Sequence, residues 1–380
     1  MITANGLLQR SGDTTYPFRQ DSNFWYLTGI MEPDVTLVMD KTKEYLIVPG
    51  RAADRVTFDG TIDAKAIAKV SAIESVIDEK QGWERLAATI KKSKKTAVLQ
   101  PGAGYMERHG FYTNPARKRL SSKLKSYNSK LEIQDIRPRI ARLRMVKQEP
   151  ELAAIQSAVD ITLEAMSIIK KNLPSYKSEA EINADITAFF IKAGAVHAYE
   201  PIIAADKNAC TLHYIANSHE ILNDSMVLID VGAEVSLYAA DITRTLTVGN
   251  PSKRRRQVTD AVINVQKYAM GLIKPGLLMK DYEKQVEQYM GDKLIELGLI
   301  KTNDRSSVRR YYPHATSHFL GLDVHDAADY EVPFETNMVL TVEPGIYIPE
   351  EGIGVRMEDD VAIEENGIRV LSELLPKTLD

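Results

Sequence analysis

Between about residue 148 and residue 363 the chain repeats one pattern twice. Amphipathic helical periodicity over about 148–171 and 178–195 precedes a hairpin-like stretch from Met226 to Val248. The same order returns over about 254–273 and 280–297, with Pro275-Gly276 between the helices, ahead of a second hairpin-like stretch from Met338 to Ile363. The hairpins even open alike, Ser225-Met-Val-Leu228 against Asn337-Met-Val-Leu340. Pro150 suits the first turn of the first helix, and Ser178-x-x-Glu181 has the spacing of a capping box at the start of the second. A duplicated helix-helix-hairpin unit predicts an α+β segment with its site where the two halves face one another.

Ahead of the repeat the texture differs. From Val35 to about Ile136, short β-like runs (Val35–Met39, Tyr45–Val48, Thr96–Leu99, Leu131–Gln134) mix with helical runs around Trp83–Ile90 and Pro115–Lys125, which predicts an α/β domain with a partly parallel sheet. The boundary falls near residues 138–147, around Arg137-Pro138-Arg139, giving segments 1–141 and 142–380. With 380 residues, 44% apolar and 26% charged, the chain has the length and balance of two soluble globular domains. We find no stretch approaching the roughly 18 apolar residues of a membrane span and no secretory signal, so a cytoplasmic protein without membrane partners is expected. Its one cysteine, Cys210, rules out an intramolecular disulfide framework and a Cys-rich metal site. A net charge of −4 and three short basic runs on helical patterns give no footprint for nucleic acid.

The chemistry concentrates in the hairpins. Asp230 ends the apolar run Met226–Ile229, and Asp241 interrupts Ala239-Ala-Asp-Ile-Thr243. With a turn at Val235-Ser236, Asp230 falls opposite Asp241, and opposed residues of an antiparallel pair project from one face with Cβ atoms about 5 Å apart. Glu343 and Glu358 pair in the same way across a turn at Glu350-Glu351-Gly352. Like charges facing each other need a cation, and four carboxylates with an imidazole suit manganese, cobalt, iron or zinc, two ions balancing so much negative charge. His314, His318 and His325 lie within twelve residues and supply imidazoles, with Gly321 between them as a site of close backbone approach. His109 and His197 read as structural or surface groups, and Gly102-Ala-Gly104 reads as a turn, since Glu107 occupies the third position of a dinucleotide fingerprint.

Assembled, these residues resemble the metallopeptidases of the pita-bread fold, and the whole chain is similar to the aminopeptidase P family. The likeness rests on Asp230-Val-Gly with Tyr238-Ala-Ala-Asp241-Ile-Thr-Arg-Thr, His318-Phe-Leu-Gly-Leu-Asp-Val-His325-Asp326, Val342-Glu343-Pro-Gly-Ile-Tyr347 and Arg356-Met-Glu358-Asp-Asp. In the first segment Tyr16-Pro-Phe-Arg-Gln20 and Phe24-Trp-Tyr-Leu-Thr-Gly29 carry it.

The resemblance implies a curved antiparallel sheet in a pseudo-twofold pita-bread domain, behind an α/β N-terminal domain whose opening strand and helix are expected to be missing. It implies Asp230, Asp241, His318, Glu343 and Glu358 as ligands of a dinuclear centre, with Asp241 and Glu358 bridging and Glu343 also orienting or deprotonating the attacking water. His213 and His325 would contact the scissile region, and His314, Tyr347 and Arg356 would complete the substrate side. The residue after His314, usually Gly in the family, is Ala315. The implied activity is removal of a residue preceding proline, with manganese the foremost of the candidate metals and a homo-oligomer, dimer or tetramer, as the assembly. Prolidase, which cleaves only dipeptides, and a non-catalytic pita-bread binding protein are the alternatives.

Overall fold

In the computed structural model, residues 1–100 and 110–379 are described, so His109 and the Gly102-Ala-Gly104 turn lie outside the described residues. The chain forms two compact units, Met1–Ile140 and Ala141–Asp380.

In the first unit a four-stranded sheet runs in the order Ile2–Thr3, Thr36–Met39, Glu44–Val48, Val76–Asp78. Its last pair is parallel and the others antiparallel. A separate parallel pair joins Lys95–Val98 to Glu132–Asp135. The helices Glu79–Lys92 and Ala116–Tyr127 place Leu86, Ile90, Leu120 and Leu124 against Tyr45, Ile47, Val98 and Leu131. Thr36–Met39 and Glu44–Val48 make a direct hairpin, its turn held by Asp40 Oδ1, which accepts from the N–H groups of Thr42 and Lys43 at 2.8 and 2.9 Å.

The second unit contains the repeat. Its four long helices are Glu149–Asn172, Glu179–Lys192, Lys253–Leu272 and Met279–Glu296. Gln148 and Glu151 form a reciprocal capping box around Pro150. At the second helix the Ser178 side chain caps Glu181 N, but the Glu181 carboxylate accepts from Lys177 N at 2.7 Å. An isolated bridge to Glu220 holds Ser178 extended, so the expected box closes one residue further out. The first helix also corrects the reading of the apolar runs. By length and composition, Glu149–Ser175 could cross a membrane. It is a core helix: Ile155, Ala158, Val159 and Met166 are fully or almost fully buried, and Thr162 Oγ1 accepts from Ala233 N at 2.9 Å.

Each helix pair precedes a broken antiparallel ladder. In the first, Met226–Val231 pairs with Ile242–Thr247, so Asp230 faces Thr243 rather than Asp241. Past the break, Ala233–Val235 pairs with Tyr238–Ala239 about a turn at Ser236-Leu237, whose φ angles are 50° and 67°. The turn therefore sits one residue beyond the expected position, in a left-handed geometry that no Asn-Gly or Asp-Gly announces. At the break Gly232 permits what no other residue would, because a Cβ there would lie 1.8 Å from the Ala240 carbonyl oxygen. The register differs from expectation by two residues, and an even shift leaves each side chain on its original face.

The second ladder keeps the expected register. Ile348 pairs with Ile353, Gly345 with Arg356 and Val342 with Asp359, which leaves Glu343 and Glu358 opposed in an interruption. Their N–H groups leave the ladder for Thr316 O at 2.8 Å and Thr243 O at 3.0 Å. Gln266 Nε2, fully buried on the third helix, donates to Val342 O and Met357 O at 3.0 Å, satisfying carbonyls that the interruption frees. Beneath this ladder Val258, Val262, Tyr282 and Met290 pack against Leu340, Ile346, Val355 and Val361.

Candidate metal centre

The two ladder breaks bring four carboxylates and one imidazole together. Asp230 and Asp241 are each 6% exposed and Glu358 2%. The Tyr199 hydroxyl sits 2.5 Å from Asp230 Oδ1 and 2.6 Å from Asp241 Oδ1. His318 Nε2 lies 3.3 Å from Asp241 Oδ2 and 3.5 Å from Glu343 Oε1. Ligand atoms of Asp241, His318 and Glu358 all fall within 4.8 Å of one another.

Neighbouring groups aim these donors. His318 Nδ1 lies 3.1 Å from Phe319 O, and in the neutral ring that a metal ligand needs, a proton on Nδ1 directed there leaves the Nε2 lone pair facing the acids. The Thr243 hydroxyl donates to Glu358 Oε2 at 2.6 Å and accepts from Arg356 Nε at 3.1 Å. Asp241 N donates to Asp360 Oδ2 at 3.0 Å. Upstream of His318, Glu283 accepts from Thr316 N and Ser317 N at 3.0 Å, fixing the approach to the ligand.

Burial sets the electrostatics. It pushes Glu343 up to about 8, against the opposing pull of His318 and Arg356. Glu358 rises well above the usual carboxylate range through burial and the charges of Asp241 and Glu343. Asp230 is raised by burial in spite of its ion pair with Arg356. For His318 burial works against the charge, but the hydrogen bond to Asp241 and the nearby carboxylates outweigh it and lift the imidazole to about 9. A desolvated group of acids with so little compensating charge calls for cations. Hard carboxylate oxygens with one imidazole nitrogen are a donor set that fits first-row divalent ions.

Beside this cluster a line of donors runs from Arg356 through Tyr347 to His314. Arg356 Nη1 donates to the Tyr347 hydroxyl at 2.8 Å, which lies 2.9 Å from His314 Nε2. His314 Nδ1 is 2.8 Å from Ala315 O, so a neutral ring that donates from Nδ1 accepts from the tyrosine. Burial, aided by Arg356, lowers His314 to about 3, and burial raises Tyr347 to about 12. His325 crosses the His318 ring at 4.2 Å between centroids and 73°. Lost hydration and the His318 charge bring it down to about 4. His213 is exposed, within electrostatic reach of both His314 and His325.

The loop from His318 to His325 is tied down by Asp326, whose N–H donates to Phe319 O at 2.8 Å and whose carboxylate takes Arg144 and Lys147. Gly321 is needed here for that side chain and not for a backbone approach, since a Cβ would meet Asp326 Oδ2 at 2.4 Å.

The structure brings together the five expected donors and aligns Arg356, Tyr347 and His314 beside them, while Tyr199, Thr243, Gln266 and Glu283, which also support the cluster, were not among the expected residues. Thr243 was within reach, since it stands two residues after Asp241, at the start of the strand Ile242–Thr247. Tyr199 precedes Glu200-Pro201 in a segment without periodicity and carries no such signal.

Fold and site together define a two-unit protein with the acids of two matching hairpins gathered at a candidate metal centre. Residues 153–365 match the model for metallopeptidase family M24, and residues 1–99 match the aminopeptidase P N-terminal domain. The chain belongs to family M24 and is a metallo-aminopeptidase with an aminopeptidase P N-terminal domain and a pita-bread C-terminal domain. Among its curated relatives is a Xaa-Pro aminopeptidase of Haemophilus influenzae, 33% identical over 98% of this chain and 89% of the relative. The low-pH form of aminopeptidase P from Escherichia coli superposes with a TM-score of 0.86 at 29% identity, covering 99% of this chain and 91% of that one. A zinc-substituted form of the Escherichia coli enzyme in complex with product gives a TM-score of 0.84 over the same coverage, again at 29% identity.

Proposed function

We propose that this protein is a Xaa-Pro aminopeptidase that hydrolyses the bond between an amino-terminal residue and a penultimate proline. The observation that carries the reading is the convergence of His318 with Asp241, Glu343 and Glu358, in a chain that resembles Xaa-Pro aminopeptidases along its whole length. The test is hydrolysis by metal-reconstituted protein of a Xaa-Pro dipeptide, a Xaa-Pro-Yaa tripeptide and a longer Xaa-Pro peptide. Release of the first residue from the tripeptide and the longer peptide is expected, and cleavage of the dipeptide alone would make the protein a prolidase.

Asp230, Asp241, His318, Glu343 and Glu358 would hold two divalent ions, with Asp241 and Glu358 shared between them. When bound, such ions polarise a carbonyl and acidify water. Manganese is the favoured metal, with cobalt, zinc and iron as alternatives. The oxygen-rich donor set supports this choice, and elemental analysis of protein purified without added metal tests it.

The chain's own residues divide the remaining work. The Glu343 carboxylate orients the attacking water and takes its proton, which then serves the proline nitrogen as that nitrogen leaves as an amine. His325, held neutral, donates an N–H to the carbonyl oxygen as charge gathers there. His213 does the same from the exposed side. His314, Tyr347 and Arg356 brace the substrate side through their shared hydrogen bonds.

Self-association as a dimer or tetramer is proposed from the family resemblance, and sedimentation at assay concentration tests it. A cytoplasmic location accords with the free thiol of Cys210, and fractionation of cells making the tagged protein checks it.

A further inference from the structure

His213 lies in a stretch without regular secondary structure, between the short 3₁₀ turn Asp206–Cys210 and the bridge at Glu220. No backbone ladder fixes it, so its position must come from side chains. Its two neighbours, Leu212 and Tyr214, pack against a small cluster of Ile202, Ala204, Leu228 and Tyr347, while His213 itself stays exposed.

One buried acid ties this segment together. Glu179, fully buried at the start of the helix Glu179–Lys192, accepts from Ala205 N at 2.7 Å and Asn208 Nδ2 at 3.0 Å through Oε1. Through Oε2 it accepts from the Tyr214 hydroxyl and from His219 N, both at 2.8 Å. A carboxylate offers about four lone-pair sites, and these four donors, spread over residues 205–219, use all of them. The helix start adds its own positive end to a negative charge placed there. Nothing in the chemistry assigned above uses Glu179. We propose that Glu179 is the positioning residue for His213, a carboxylate hub that sets the depth and orientation of that imidazole at the scissile bond.

The proposal rests on the role given to His213, and the experiment separates the two. Glu179→Gln keeps the shape and replaces one acceptor oxygen by an NH₂ that faces two donors, so half the hub is lost. The variant is expected to keep its metal content, measured by elemental analysis, and to lose kcat/KM on a Xaa-Pro-Yaa substrate by on the order of tenfold, as small misplacements of reacting groups do. In a His213→Ala background the same substitution should cost no more than about twofold, because coupled residues fail to add. An equal loss in both backgrounds, or no loss in either, overturns the hub. Wild-type activity in His213→Ala alone overturns the role of His213 and with it the ground for the proposal. Tyr214→Phe, which removes one of the four donors from a half-exposed side chain, repeats the cycle should Glu179→Gln fail to fold, with a smaller loss confined to the His213 background.

Discussion

Lys147 Nζ donates to Asp326 Oδ2 at 2.9 Å, and both side chains are 1% exposed. Arg144, equally buried, binds the other carboxylate oxygen. Asp326→Asn would take the counter-charge from buried Lys147 and leave Arg144 to Asp323, 2.8 Å away, a change expected to cost about 3–5 kcal/mol in denaturant unfolding. Burial alone would raise this carboxyl, but Lys147 and Arg144 hold it below its usual range. A carboxylate depressed by folding stabilises fully above its unfolded pKa of about 3.9, and the contribution fades as pH falls through the folded value. The stability gap between wild type and variant should therefore be widest near neutrality and narrow below about pH 4. A gap that stayed constant from pH 7 to pH 3 would remove the ion pair as its cause.

Tyr199 places one hydroxyl between two carboxylates of the centre. Tyr199→Phe should fold and lose metal affinity by about 10–100-fold, the usual cost of an outer partner of a ligand. Calorimetric titration of metal into chelator-stripped protein measures it, and unchanged affinity would reduce the tyrosine to packing.

The proposed sharing of Asp241 between two ions predicts unequal consequences for the two aspartates. Asp241→Ala should lower the occupancy of both ions, whereas Asp230→Ala should mainly empty one. Metal counts that fall equally in the two variants would remove the bridging assignment.

His325→Ala should keep both metals and nearly the wild-type KM while kcat falls on the order of 10²–10³, the effect of losing a donor to developing charge. His318→Ala should lose metal as well. A His325→Ala protein with near wild-type kcat would rule out the donor role.

How far the sequence reaches is clearest at the two hairpins. Pro349 and Gly352 announce the second turn, and Glu343 and Glu358 stand opposed where they are expected. The first hairpin has no such marker. Ser236 and Leu237 take the left-handed conformations that a two-residue hairpin turn requires, although neither residue type favours them. The acids still converge, because the error is even and strand faces alternate with a period of two. The long helices are legible from their periodicity, while short strands such as Ile2–Thr3 and Val76–Asp78 are too brief to show one. The apolar length of Glu149–Ser175 misleads in another way, since composition cannot tell a helix facing lipid from one facing its own core.

Thr162 and Gln266 both stand on the first helix of their repeat, and each reaches the ladder break of its own half. The repeat thus supplies one helix brace to each half of the centre. Damage should stay on the side where it is done: Thr162→Val ought to loosen the backbone beside Asp230 and leave the Glu343–Glu358 pairing in place, while Gln266→Leu does the reverse. A centre built this way can be altered one half at a time, which is the condition under which its two halves could come to differ.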